Sequence, residues 1–292
     1  MSEEERSLEE LRHLIDEIDD RCHDLLMERT RVVGQVGQAK TRERKSASDK
    51  PVLAMRPGRE GQVLRRLVGR HRGALPVIVV ARMWRELITA KTRLQGPLEV
   101  SVYGGGDALK IWDLARFHYG SATPMEMAAS VQDILNMVST EPGHIAVLPA
   151  PGMTGEPVPW WPLLCEKNTA LRVVAGLPFL VEEGSRVEPQ ALTVACMEPE
   201  PSGHDRSLLA VTFDRSQTVK GAVDCLAQAG LPDVVALDVN QQVHLVSVSG
   251  FVGGALEDVA EHMNATPRNI RSICVLGSYA CPISINAGGQ VT

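Results

Sequence analysis

The sequence predicts a multidomain protein: an all-α unit of three helices over residues 1–97, an α/β region over 98–205, and an α+β unit of ferredoxin-like plan over 206–292. Three observations predict it. The chain has 292 residues, about twice the commonest domain length. Apolar residues recur every three to four positions up to Gln95, then switch to short strand-like runs after Pro97. From Ser207 onwards the elements read βαββαβ. With 44% apolar and 23% charged residues, the composition is globular and excludes a mostly disordered chain.

The first helix is predicted over Leu8–Lys40. Its stripe is Leu8, Leu11, Ile15, Ile18, Cys22, Leu25, Val32, Val33 and Val36, and Ser7 with Glu10 forms a capping-box signature. At about 1.5 Å per residue this helix runs roughly 50 Å and needs a partner chain to cover it. Residues Thr41–Pro57, charged and holding Pro51 and Pro57, read as a flexible connection. Pro57 suits the first turn of a second helix whose apolar face is Val63, Leu64, Leu67 and Val68. A third helix, from about Leu75 to Gln95, ends at Gly96-Pro97.

Beyond Pro97, Leu98–Tyr103 and His144–Pro149 read as strands, and Ala108–Tyr119 and Met125–Val138 as helices. Met153–Pro162 reads as a loop and Glu198–Arg206 as a linker. The last unit is predicted as strand Ser207–Phe213, helix Thr218–Ala229, strands Val234–Val239 and Val243–Ser249, helix Gly254–Met263 and strand Ser272–Tyr279.

No apolar run approaches membrane-spanning length, and Met1–Glu10 is acidic where a secretion signal is basic, so a cytosolic protein without membrane partners is expected. The six cysteines are scattered, with no C-x-x-C pair, and read as buried free thiols without metal. Net charge is −6, yet between Arg29 and Arg72 the acids are only Glu43, Asp49 and Glu60. That local excess points to an anionic ligand. Nucleic acid is the weakest choice, because the basic stretch lacks stacking aromatics.

Several of these charges lie inside the apolar stripes. Arg29 follows Leu25 by four and Lys40 follows Val36 by four; eleven residues apart, they return to nearly the same face. Arg59 and Glu60 stand one turn before Val63 and Leu64, and Lys91 and Gln95 line up with Trp84, Leu87 and Ile88. A buried cluster richer in cations than anions is costly unless an anion fills it. Against that reading, stripe-edge Arg and Lys commonly snorkel, Glu60 suits an ion pair with Arg29 or Arg59, and Gln95 suits a helix cap.

These residues resemble the all-helical (AroQ-class) chorismate mutases over nearly all of residues 8–95. The ordered set carries the resemblance: Leu11-Arg12, Ile15-Asp16 and Ile18-Asp19, then Glu28-Arg29, Val36-Gly37 and Lys40, then Arg56-Pro57-Gly58-Arg59-Glu60, and Gln95 at the last helix end. The resemblance implies an intertwined dimer that rearranges chorismate, a dicarboxylate, to prephenate without metal or cofactor. It implies that Arg29, and Arg12 of the other subunit, grip carboxylates, that Lys40 and Gln95 donate to the ether oxygen, that Arg59 positions and that Glu60 accepts from the ring hydroxyl. Arg12 and Arg29 are seventeen residues apart, about 100° around the helix, which suits service in different pockets. Arg56 replaces an acid and Lys91 a small hydroxyl of well-known members, adding two cations to the substrate-binding set.

The remainder resembles a shortened prephenate dehydratase module followed by an ACT-like domain with a possible amino-acid effector. The Thr-Arg-Phe motif of dehydratase chemistry is absent from the sequence, so no dehydratase activity is expected. The alternative function is a non-catalytic sensor or regulatory subunit that binds chorismate, prephenate or an amino acid.

Overall fold

The computed structural model describes residues 6–44, 53–152, 159–166, 169–184, 188–253, 259 and 269–286; the side chains of 40–44 lie outside the description. The chain divides into two compact units, Met1–Lys50 and Pro51–Thr292.

Helix α1, Leu8–Arg44, is the described part of the first unit. Its 37 residues span about 55 Å. The expected capping box starts it: the Ser7 amide donates to Glu10 Oε2 at 2.7 Å and the Glu10 amide to Ser7 Oγ at 3.2 Å. Those Ser7 contacts hold the Glu10 carboxyl below its ordinary value. The helix continues four residues into the expected connection; residues 45–52 lie outside the description. Its stripe is open to solvent, with Leu8, Ile15 and Leu25 each more than half exposed.

The larger unit begins with α2, Pro57–Arg70, and α3, Val77–Gln95. Pro57 sits in the first turn of α2, as its missing amide favours. Leu64 and Val68 of α2 pack with Val77 and Ala81 of α3 against Phe179, Leu180 and Ile283.

Behind them lies a nine-stranded sheet. Its strands are β1 Glu99–Val102, β2 Met125–Met127, β3 His144–Pro149, β4 Leu171–Leu177, β6 Ala191–Cys196, β7 Asp205–Phe213, β8 Val235–Asn240, β9 Val243–Ser249 and β10 Ile270–Ala280. They are ordered β2-β1-β3-β6-β4-β10-β7-β9-β8. A small parallel pair, β5 Leu180–Glu182 with β11 Ile283–Ile285, lies outside it. Helix α4, Ala108–Tyr119, covers one core with Ile111 and Ala115, while α5, Val131–Thr140, contributes Ile134, Leu135 and Val138 to the core around Trp160 and Trp161. Helix α6, Val219–Gln228, packs Ala222 and Leu226 on β7 and β9.

The halves of the sheet meet where β4 and β10 run parallel at Val173 and Gly277. Gly277 has φ +136°, and a Cβ there would overlap the Val173 backbone, so glycine permits this approach. Strands β10, β7, β9 and β8 are antiparallel throughout, spatial order 4-1-3-2 within the expected βαββαβ unit. Of the helix expected over Gly254–Met263 only Val259 lies within the description.

Several expectations need correction. Met125–Val138 is not one helix: Met125–Met127 is β2, paired parallel with β1, and α5 starts only after Ser130, whose Oγ accepts the Asp133 amide at 3.1 Å. An N-cap inside an apolar run resets the helix start. The linker to Arg206 ends early, because Asp205 and Arg206 pair with Ala280 and Tyr279. Strands β4, β5 and β6 had no counterpart in the sequence reading. The cysteines are unpaired, but Cys22 and Cys196 are exposed and the other four half-buried, rather than buried. No described helix is long and apolar enough to cross a membrane.

Candidate functional site

The two units carry different parts of the expected site. In α1, Arg12 is exposed and Arg29 half-buried. Arg29 Nη1 is shielded from solvent with no hydrogen-bond partner among the described residues, and burial lowers the guanidinium pKa from its ordinary value. Lys40 belongs to α1, but its side chain lies outside the description.

In the larger unit, α2 approaches the 200–201 segment so closely that a Cβ on Gly58 would overlap the Glu200 and Pro201 carbonyls. Arg56 stands just before the helix, its Nε 2.8 and 3.0 Å from the two Glu200 carboxylate oxygens. Arg65 is committed to the segment ahead of β7 and to the end of β10: Nη1 donates to Ser202 O and Oγ, and Nη2 to His204 O and Cys281 O at 2.7–3.1 Å. Arg59 is exposed and donates to Gln62 at 3.2 Å.

Glu60 is nearly buried, and its partner is Arg85 of α3. Arg85 Nη1 lies 3.1 Å from Glu60 Oε2, with side chains 4% and 12% exposed. Glu60 Oε1 accepts the Arg56 amide at 3.3 Å. Burial raises the Glu60 pKa while the Arg85 charge opposes the rise; burial also pulls Arg85 downward from its ordinary value. The ion pair foreseen for Glu60 therefore exists, with Arg85 in place of Arg29 or Arg59.

Arg85 lies with Ala81, Thr89 and Thr92 on the buried face of α3. That helix is anchored to the turn after α4 by Glu86, whose Oε1 accepts the Ser121 amide at 2.8 Å, and by Arg93, which donates to Ala122 O at 2.6 Å. Arg85 stands 5.1 Å from the Phe179 ring centroid, and Arg65 5.7 Å from the same ring. His118, 5% exposed, is held well below its ordinary pKa by burial and then by the Arg85 charge. Its neighbour Tyr119 shares a 2.6 Å hydrogen bond with Thr193 Oγ1. A small cavity opens among Pro57, Arg85, His118, Gly176 and Phe179.

Lys91 sits on another face of α3, in line with Trp84, Leu87 and Ile88. It is 6% exposed, and its Nζ has no hydrogen-bond partner among the described residues. Gln95, one turn on, is exposed at the helix end. The larger unit thus gathers Arg56, Arg59 and Glu60 at one end of α2, and Lys91 with Gln95 on one line of α3. Arg85 was missed by the sequence reading. Its signal was a lone arginine on a helix face otherwise made of small and apolar residues, Val77, Ala81, Thr89 and Thr92. Among the described residues no group of His, Cys, Asp and Glu is placed to hold a metal ion.

Comparison with known proteins returns the same region. Residues 11–96 match the family model of chorismate mutase type II. A bifunctional chorismate mutase/prephenate dehydratase of Stutzerimonas stutzeri is 29% identical over 154 residues, 53% of this chain and 41% of that protein. One from Pseudomonas aeruginosa is 29% identical over 147 residues, 50% of this chain and 40% of that protein. The matched part of the chain thus spans about two fifths of the length of these relatives. Among solved structures, prephenate dehydratase from Streptococcus mutans aligns at TM-score 0.39 and 13% identity, covering 63% of this chain and 99% of that one. The Arthrobacter aurescens prephenate dehydratase, solved with L-Phe, aligns at 0.39 and 11%, covering 66% and 92%. The names of the two bifunctional relatives do not support the expected absence of dehydratase activity. The cations of α1 and the polar residues of α2 and α3 thus fall within one matched stretch: residues 11–96 are a chorismate mutase type II domain.

Proposed function

We propose that this chain is a chorismate mutase that rearranges chorismate to prephenate in aromatic amino-acid biosynthesis, by electrostatic stabilisation without a cofactor. The observation that carries the reading is Lys91: a lysine inside the matched domain, more than nine-tenths buried, with no partner for its ammonium among the described residues. A buried cation left uncompensated costs several kcal/mol, by order of magnitude, and a carboxylate ligand supplies the missing partner. Arg29, half-buried with its Nη1 shielded and without a partner among the described residues, is a second cation of this kind. In this reading Arg29, Lys91 and Arg12 of a second subunit bind the carboxylates. Lys40 and Gln95 stabilise charge developing on the ether oxygen, Arg56 and Arg59 raise the local potential, and Glu60 accepts from the ring hydroxyl.

The same proposal includes a cytosolic homodimer closed by the exposed stripe of α1, an ACT-like unit over 206–292, and the division at 97/98 and 205/206. It also includes loss of dehydratase activity, which rests on the missing Thr-Arg-Phe motif alone. The test follows chorismate and prephenate spectrophotometrically with and without phenylalanine. Chorismate consumption with prephenate accumulating, unconverted to phenylpyruvate, supports the reading; no consumption overturns it. The sensor alternative draws support from the engagement of Glu60 by Arg85, and predicts ligand binding by calorimetry without turnover.

A further inference from the structure

We propose that Arg85 is a positioning residue for the mutase site, fixing the Glu60 carboxylate in the orientation and charge state that the substrate hydroxyl requires. The inference rests on the proposed mutase reading and adds to it a residue from outside the resemblance. The geometry carries it. Glu60 uses Oε2 for Arg85 and Oε1 for the Arg56 amide. A carboxylate has roughly four lone-pair sites, so two contacts leave capacity for a hydroxyl donor.

Arg85 is itself held in place. Phe179 lies beneath it, and the same ring carries Arg65, whose guanidinium is tied to Ser202, His204 and Cys281 at the start of β7 and the end of β10. The Glu60 position is therefore set from the sheet, through Arg65, Phe179 and Arg85, as well as from α2. Around the pair, Glu200 opposes ionisation of Glu60, while the Arg56 side chain is spent on Glu200. Burial and then Arg85 disfavour the charged form of His118, and the Tyr119 hydroxyl is engaged by Thr193. Arg85 is thus the group whose charge and hydrogen bond both favour the Glu60 carboxylate. Without it, burial and Glu200 both push the carboxyl towards protonation, and a protonated Glu60 loses acceptor capacity as pH falls.

The experiment measures kcat/KM for chorismate against pH with the full chain, its Arg85→Gln, Arg85→Lys and Glu60→Gln variants, and a thermal melt of each. Arg85→Gln is expected to move the acid limb of the profile upward by about one pH unit or more, and to lower kcat/KM at neutral pH roughly tenfold, about 1.4 kcal/mol. Glu60→Gln removes that limb. Arg85→Lys keeps the charge but loses the guanidinium geometry; it recovers part of the activity and shifts the limb less. If Arg85→Gln does not fold, Arg85→Lys decides. Parental kcat/KM and an unmoved limb in a folded Arg85 variant overturn the inference while leaving the mutase reading intact. An inactive parent overturns the mutase reading, and the role of Arg85 with it.

Discussion

At the scale of single residues, the molecule separates charges that are satisfied from charges that wait for a partner. Arg65, Arg56 and Arg85 have their guanidinium groups committed to named acceptors, whereas Lys91 Nζ and Arg29 Nη1 have none among the described residues. Truncating one partner of the buried Arg85–Glu60 pair strands the other, so Arg85→Leu is expected to destabilise the larger unit by about 3 kcal/mol, read by urea unfolding. A loss near zero would show that the pair is solvated. Lys91→Met removes a buried unpartnered cation, and predicts the opposite split: unchanged or raised stability, with KM for chorismate raised about tenfold or more. A Lys91→Met enzyme with parental KM contradicts the assignment.

His118 gives a pH signature. Its folded pKa is depressed relative to the unfolded value, so its contribution is present above about pH 6.5 and declines as pH falls below it, since the unfolded chain then binds a proton that the folded chain excludes. Thermal melts of parent and His118→Gln between pH 7 and 5 check this; the variant is expected to lose less stability on acidification. Among residues, the burial of Lys91 was legible because stripe spacing is local, whereas Arg29, on a stripe open to solvent, is only half-buried. The Glu60–Arg85 pair was not, because it closes across 25 residues and depends on how α2 meets α3.

At the scale of elements, helices with strong local punctuation were read well. Helix α1 begins at the capping box, α2 at Pro57, and Ala108–Tyr119 and Val243–Ser249 match their expected bounds. Strands β4 and β6 were missed because they lie mid-sheet, buried nearly throughout, and show apolar runs without alternation. β2 was absorbed into a helix because a three-residue edge strand has too little length to show a period. At the β4–β10 contact, Gly277→Ala is expected to cost about 2 kcal/mol or more, since it demands both a positive φ and an overlap with Val173. A melting temperature equal to the parent's would show that the two strands can move apart freely.

At the scale of the whole molecule, the expected three-part plan meets a chain whose sheet is continuous from β2 to β8, with strands from both sides of residue 205 side by side at β4 and β10. Composition and periodicity reveal that strands follow helices, but not that two strand groups share one sheet, because the join is a single parallel contact at a glycine. The α1 stripe, exposed along about 55 Å, predicts concentration-dependent association; analytical ultracentrifugation is expected to show a dimer, and a monomer at micromolar concentration would contradict that part of the proposal. The central claim is that inward cations of residues 11–96 rearrange a dicarboxylate without a cofactor. The most direct measurement is the loss of chorismate absorbance in metal-free buffer, comparing the parent with Lys40→Ala. The account predicts steady consumption by the parent and a fall of about 100-fold or more in the variant; an inert parent, or a variant as fast as the parent, would contradict it.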